Sequence, residues 1–350
     1  MHIKECERKN FIYGEIYNGR INILKTKKYS HDKRQIVSAV FILMLAILTI
    51  LSSCSSNNVK GENGKITVYT SFYTMYDFAL KIGGDKVNVV NMIPSGMEPH
   101  DWEPSPRDIA GLSGADLFIY NGAGMEGWVD KVIESIKNDK LITVETSKGI
   151  SFEKPVHAHV HQEEALTHET EHSHHSHEYD PHVWLNPRNA KIQMKVIKDA
   201  LVQVDRENSR YYEENYNFYA EKLDELDKKY KEAAASFSRK EIVVSHAAYG
   251  YLCSAYGLEQ FSLEGIASDS EPTPARMAEI IDFIRKHDVS VIFFDGLSSS
   301  KVVDAVARET GARTAVLSPL EGISAEDLEA GKDYFSIMEE NLKALSDALR

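Results

Sequence analysis

The sequence predicts an α/β chain of two lobes, each with a mainly parallel sheet flanked by helices, joined by one long rigid helix. Three observations predict it. Apolar runs of strand length alternate with helical patterns in two separate sets. Between the sets, residues 207–236 contain neither Gly nor Pro and carry an apolar stripe at helical spacing. The 350 residues, 43% of them hydrophobic, suffice for about two domains of roughly 150 residues each.

The first set of strands is expected at Lys65–Phe72, Lys86–Ile93, Leu117–Gly122 and Ile142–Glu145, with helices in TMYDFALKIGG and PSPRDIAGLSG between them. The second is expected at Glu241–His246, Leu258–Ile266, Val289–Gly296 and Arg313–Leu320. In the intervening stretch Tyr212, Tyr216, Tyr219, Leu223, Leu226 and Tyr230 follow spacings of 4, 3, 4, 3 and 4, with Asp205 placed to cap. That pattern predicts a strut on the order of 45 Å at 1.5 Å per residue. An exposed coiled-coil arm would need its seam sustained over more heptads. A strut of this kind predicts a cleft between the lobes that closes little.

Upstream, KTKKYSHDKRQ precedes a sixteen-residue apolar run, Ile36–Leu51, and then SSC. The run is short for a membrane span, which needs about 20 residues, and the order of basic, apolar and small residues is that of an export signal. Leu51-Ser52-Ser53-Cys54 resembles a lipobox, which makes Cys54 the expected lipidation site; an uncleaved anchor with a chance cysteine is the bland alternative. Some two dozen residues precede the basic region, which leaves room for a translation start later than Met1. The expected organisation is a leader at 1–53, a tether at 54–64, a first lobe at 65–186, connecting helices with the strut at 187–237, and a second lobe at 238–350.

Residues 1–53 hold nine Lys/Arg and four Asp/Glu, so the remainder carries 31 basic and 49 acidic residues, a net charge of -18. Such a surface repels nucleic acid and anionic lipid head groups. Cys6 and Cys54 lie outside the expected folded part and Cys253 stands alone, which excludes an intrachain disulfide and a cysteine-based metal site.

In open parallel sheets, ligands bind beyond the carboxyl ends of the strands. Four residues of metal-binding type are expected there. His100 lies in the Pro- and Gly-rich loop IPSGMEPHDWEPSP, His182 in YDPHVWLNP between Pro181 and Pro187, His246 at the end of IVVSH, and Glu321 in the turn PLEG. Singly, each is a weak signal, since a lone His at a strand end is more often a helix cap or a satisfied core residue than a ligand. Together, three imidazoles and one carboxylate suit tetrahedral Zn²⁺. Glu98 and Asp295 are lesser candidates for ligation, Asp180 is expected to orient His182, and Trp102, Trp128 and Trp184 are expected to pack the lobe interface.

Over about Lys65 to Arg350 the chain resembles the solute-binding lipoproteins of bacterial zinc and manganese ABC importers. The resemblance rests on GMEPHDWEPSPRDI, DLFIYNGAGMEGWVDK, DPHVWLNP, SHAAYGYL, EPTPARMAEIIDFIRKHDVSVIFF and SPLEGISAEDLEAGKDYFSIMEENL. It implies two α/β lobes joined by a long helix, and it implies metal ligation by His100, His182 and His246. The family's fourth ligand varies among Asp, Glu and water, so Glu321 is the looser assignment. The implied function is an exported, lipid-anchored, monomeric receptor that passes Zn²⁺ to a permease and its ATPase, with a manganese or iron receptor as the alternative.

A second group of histidines, His157, His159, His161, His168, His172, His174, His175 and His177, sits among Glu, Ser and Thr with no apolar period. The expectation is a surface loop at 157–177 that collects metal weakly, or else a merely solvated insert. A lipid-anchored zinc hydrolase is the remote rival. The sequence has no GxSxG and no second carboxylate cluster to support it.

Overall fold

Among the described residues, eight strands form two four-stranded sheets, parallel throughout. The computed structural model describes residues 64–154, 179–266, 272–297 and 300–350. The expected leader, Cys54, all but the last residue of the tether, and the eight histidines of the 157–177 segment lie outside the described residues. Among the described residues no helix is long and apolar enough to cross a membrane.

In the first sheet, β1 (Ile66–Thr70), β2 (Val87–Asn91), β3 (Leu117–Tyr120) and β4 (Ile142–Glu145) run in the order β2-β1-β3-β4. In the second, β5 (Glu241–Val244), β6 (Glu259–Ser262), β7 (Val291–Phe294) and β8 (Arg313–Val316) repeat that plan as β6-β5-β7-β8. Each order reverses direction beside its first strand, which opens a crevice at the carboxyl ends of the strands. Every expected strand is present, but most stop two to four residues earlier than the apolar runs suggest. The residues past those ends form the loops that carry the site.

Helices α1 (Tyr73–Gly83), α2 (Pro106–Leu112) and α3 (Val129–Ser135) cross between the strands of the first sheet. The chain then enters α4 (Pro187–Val204) and α5 (Ser209–Ala235). Helix α4 begins cleanly because Asn186 accepts from the Arg188 amide and Pro187 needs no donor partner in the first turn. With 27 residues, α5 is about 40 Å long. Its Tyr212, Leu223, Leu226 and Tyr230 are buried, while Tyr216 and Tyr219 pack at the margin of the same core.

The strut is tied at both ends. Asn215 Nδ2 donates to the Ile82 carbonyl of α1 at 2.9 Å, and the Tyr230 hydroxyl donates to the Met338 carbonyl at 2.7 Å. Asp205 does not cap it. The α5 N-cap is Asn208, without a side-chain cap, and Asp205 instead accepts from the Tyr212 hydroxyl and the Asn208 amide.

Beyond the strut lie α6 (Gly250–Tyr256), α7 (Pro274–His287), α8 (Lys301–Thr310), α9 (Ala325–Glu329) and α10 (Tyr334–Leu349). One continuous core runs from Val68 of β1 and Phe78 of α1, through Trp184 and Leu223, to Val244 of β5 and Met338 of α10. Of the three tryptophans, Trp184 fits the expected interface role, accepting at its carbonyl from the Tyr334 hydroxyl of α10 at 2.7 Å, and Trp102 packs at the margin of the shared core. Trp102 and Trp128 stack edge-on at 5.4 Å, and Trp128 packs on Phe118, all within the first lobe.

Candidate metal centre

His100, His246 and Glu321 are each placed by a loop that leaves the carboxyl end of a strand, and His182 by the turn that leads into α4. The β1–β2 ladder continues past its strands, with the Met92 and Ile93 amides donating to Thr70 and Ser71, and so fixes the root of the His100 loop. His246 follows β5 by two residues. Its stretch is held by the Ser245 amide on the Phe293 carbonyl and the Ala247 amide on the Gly265 carbonyl. His182 sits between Pro181 and a short 3₁₀ turn, Val183–Leu185. Behind it, Asn121 Nδ2 donates to the Pro181 carbonyl at 3.0 Å.

The structure brings all four side chains together, with one ligand atom of each within 4.8 Å of every other. His100 Nε2 lies 3.3 Å from His182 Nε2 and 3.4 Å from Glu321 Oε1, and His246 Nε2 lies 3.2 Å from the same oxygen. Ligands roughly 2.0–2.1 Å from a tetrahedral ion stand about 3.3–3.4 Å apart, so these three edges have the spacing of a four-ligand zinc shell. The fourth, His182 Nε2 to Glu321 Oε1, is shorter at 2.6 Å. That is a hydrogen-bonding separation, at which the protonated imidazole shares its proton with the carboxylate. The group can therefore hold a metal ion, with that proton displaced.

Asp180 aligns the central imidazole. Its Oδ1 accepts from the His182 backbone amide at 2.9 Å and from Nδ1 at 2.7 Å. With the proton on Nδ1, the other ring nitrogen, Nε2, is turned toward the cluster. Asp180 itself is buried against Gly250, where a Cβ would come within 2.4 Å of Oδ2.

The electrostatics follow from burial opposed by close partners. Burial lowers the affinity of His182 for protons, but hydrogen bonds to Asp180 and Glu321 outweigh it and raise the group to about 10. His246 is also raised, because the Glu321 charge overcomes its desolvation. Burial disfavours the charged form of Glu321, yet the His246 charge and the three imidazole contacts hold its carboxyl well below the usual range. Proton competition is thus expected well above 6.5, the ordinary histidine value.

Glu98 and Asp295 stay outside the group. Glu98 Oε1 accepts from the His100 amide at 3.2 Å, and Asp295 Oδ1 from the Leu297 amide at 2.7 Å. Among the supporting elements that sequence reasoning missed is the buried carboxylate of Glu126. It accepts from the Ser71 hydroxyl and from the Asn121 and Gly122 amides, and so shapes the loop that reaches Pro181. The only hint was a lone acidic residue inside the Gly-rich run GAGMEG.

The comparisons with known proteins agree with this architecture. The pattern of the family described as zinc-uptake complex component A, periplasmic (ZnuA), matches residues 68–348. The high-affinity zinc uptake system protein ZnuA of Bacillus subtilis is 40% identical over 316 residues, covering 89% of this chain and 97% of that protein. The zinc-binding lipoprotein AdcA of Streptococcus pneumoniae is 37% identical over 87% of this chain, which spans only 60% of its length. The crystal structure of the Zn(II)-bound ZnuA-like domain of that AdcA superposes with a TM-score of 0.69, at 34% identity, over 82% of this chain and 99% of the domain. With the matched pattern running through both sheets and all four cleft residues, the chain belongs to the periplasmic zinc-uptake component family, ZnuA.

Proposed function

We propose that this protein is an extracytoplasmic zinc receptor, anchored by lipid at Cys54, which captures Zn²⁺ between its lobes and delivers it to an ABC permease driven by an ATPase. His100, His182, His246 and Glu321 are the ligands in this reading. The observation that carries it is the convergence of three Nε2 atoms on one Glu321 oxygen, within 2.6–3.4 Å of it. Neutral imidazoles and a single carboxylate favour zinc over the harder cations, which seek more oxygen. Four protein ligands also close the coordination shell, where a hydrolytic zinc keeps a position for water. The names of the relatives, zinc uptake proteins and zinc-binding lipoproteins, support the same cargo.

The histidines of the 157–177 segment are assigned a metal-collecting role, weaker than that of the four-residue site because ordering a chain around a metal costs conformational entropy. Competitive zinc and manganese titration of residues 65–350 tests the whole reading. Tight stoichiometric zinc binding should survive deletion of 157–177 and collapse in His182→Ala. Binding that vanishes with the segment and ignores His182→Ala would overturn the assignment.

A further inference from the structure

Strand β8 ends at Val316, and the four residues between it and Glu321 belong to no sheet. Their carbonyls are nonetheless all engaged by buried side chains. The Leu317 carbonyl accepts from the Tyr249 hydroxyl, Ser318 from Asn341 Nδ2 at 2.7 Å, Pro319 from Trp184 Nε1 at 2.7 Å, and Leu320 from the Thr74 hydroxyl at 2.5 Å. Tyr249 and Asn341 belong to the second lobe. Trp184 and Thr74 come from before the strut, so the last two bonds cross the lobe interface. Leu320 has a φ of 59°, a left-handed conformation that a non-glycine residue keeps only where its surroundings hold it. Thr74 is fully buried, and its bond is on the residue adjoining Glu321.

All three imidazole contacts of Glu321 run to one oxygen, Oε1. Single-oxygen ligation keeps the shell at four, which zinc accepts, whereas a carboxylate free to turn can offer both oxygens to a larger cation that favours a six-ligand shell. We infer that Thr74 is a positioning residue for Glu321: by holding the Leu320 carbonyl across the lobe interface, its hydroxyl keeps the carboxylate to one oxygen and biases the site toward zinc over Mn²⁺. The inference rests on the metal-site reading proposed above.

The test uses the full chain loaded with one equivalent of Co²⁺, whose absorption is intense in a four-ligand shell and weak in a six-ligand one, together with zinc and manganese competition. Thr74→Val should lose absorption intensity and narrow the zinc preference by about tenfold, the lower end of what a contact supporting a ligand is worth. Thr74→Ser should restore both. Should Thr74→Val not fold, Thr74→Ala, which removes the hydroxyl without added bulk, takes its place. A wild-type spectrum and wild-type zinc preference in the hydroxyl-less variant, or Thr74→Ser failing in the same way as Thr74→Val, would overturn the inference. If the wild-type chain itself binds without dependence on His182, the site reading fails instead, and the two failures are told apart.

Discussion

Glu321 Oε1 stands 2.6 Å from His182 Nε2, a separation that a shared proton explains and a bound metal would have to widen. Metal and proton therefore compete for one place. With His182 raised to about 10, that proton stays through neutral pH in the metal-free protein. Apparent zinc affinity should rise about tenfold per pH unit between pH 6 and 8 for each proton displaced. Calorimetry at pH 7.5 in two buffers of different ionisation enthalpy should show about one proton released for this pair. A pH-independent affinity above pH 7 would contradict the shared proton.

The stability of the metal-free protein should run the opposite way. His182 is raised above its unfolded value near 6.5, so its contribution is full below that pH and is lost as pH climbs toward 10. Glu321 is depressed, so its contribution is present above its unfolded value near 4.5 and is lost as pH falls below it. The pair thus stabilises most between about pH 4.5 and 6.5. Thermal unfolding of the metal-free chain should show a midpoint that falls from pH 6.5 to 9, a slope that zinc loading removes.

Asp180 is buried and bonded to both His182 nitrogens that face away from the cluster. Asp180→Ala should cost about 10–100-fold in zinc affinity, the usual range for a partner that orients a metal-binding histidine. Equilibrium competition with a chelator reads it directly.

Gly250 belongs to the second lobe but owes its lack of a side chain to Asp180 in the first, since a Cβ would lie 2.4 Å from Oδ2. Gly250→Ala should push Asp180 off His182 and reproduce the affinity loss of Asp180→Ala. Gly127→Ala, where nothing lies within 4 Å of the added carbon, serves as the neutral control.

Closure on metal binding should be small. The lobes share one core, and buried hydrogen bonds such as Tyr334 to the Trp184 carbonyl would have to break for a wide hinge motion. Solution scattering of metal-free and zinc-loaded protein should therefore nearly superimpose, and a large change in radius of gyration would contradict the strut's role.

Much of this was legible from the sequence because it is local. Short apolar runs bounded by Gly, Pro and polar residues marked all eight strands, and the Tyr/Leu stripe from Tyr212 to Tyr230 marked the strut. Proline brackets around His182 and the strand-end positions of His100, His246 and Glu321 marked the four side chains that the structure brings together. What escaped depends on partners distant in the chain. Apolar runs such as TAVLSPL continue past the sheet because Leu317 and Leu320 are buried in the core, a role that periodicity cannot tell from a strand. Asp205 looked like a cap, and only the fold shows the Tyr212 hydroxyl taking its carboxylate. Thr74 and Gly250 carry no signal of their own, since each acts on a segment between 70 and 246 residues away.

The central claim is one zinc ion held by three imidazoles and one carboxylate oxygen. Zinc-edge X-ray absorption of residues 65–350 lacking the 157–177 segment, at one equivalent of metal, tests it most directly. The predicted result is a four-ligand shell of three imidazole nitrogens and one oxygen at roughly 2.0–2.2 Å, with the oxygen or its distance altered in Glu321→Gln. A six-ligand oxygen-rich shell, or a spectrum indifferent to both Glu321→Gln and His182→Ala, would contradict it.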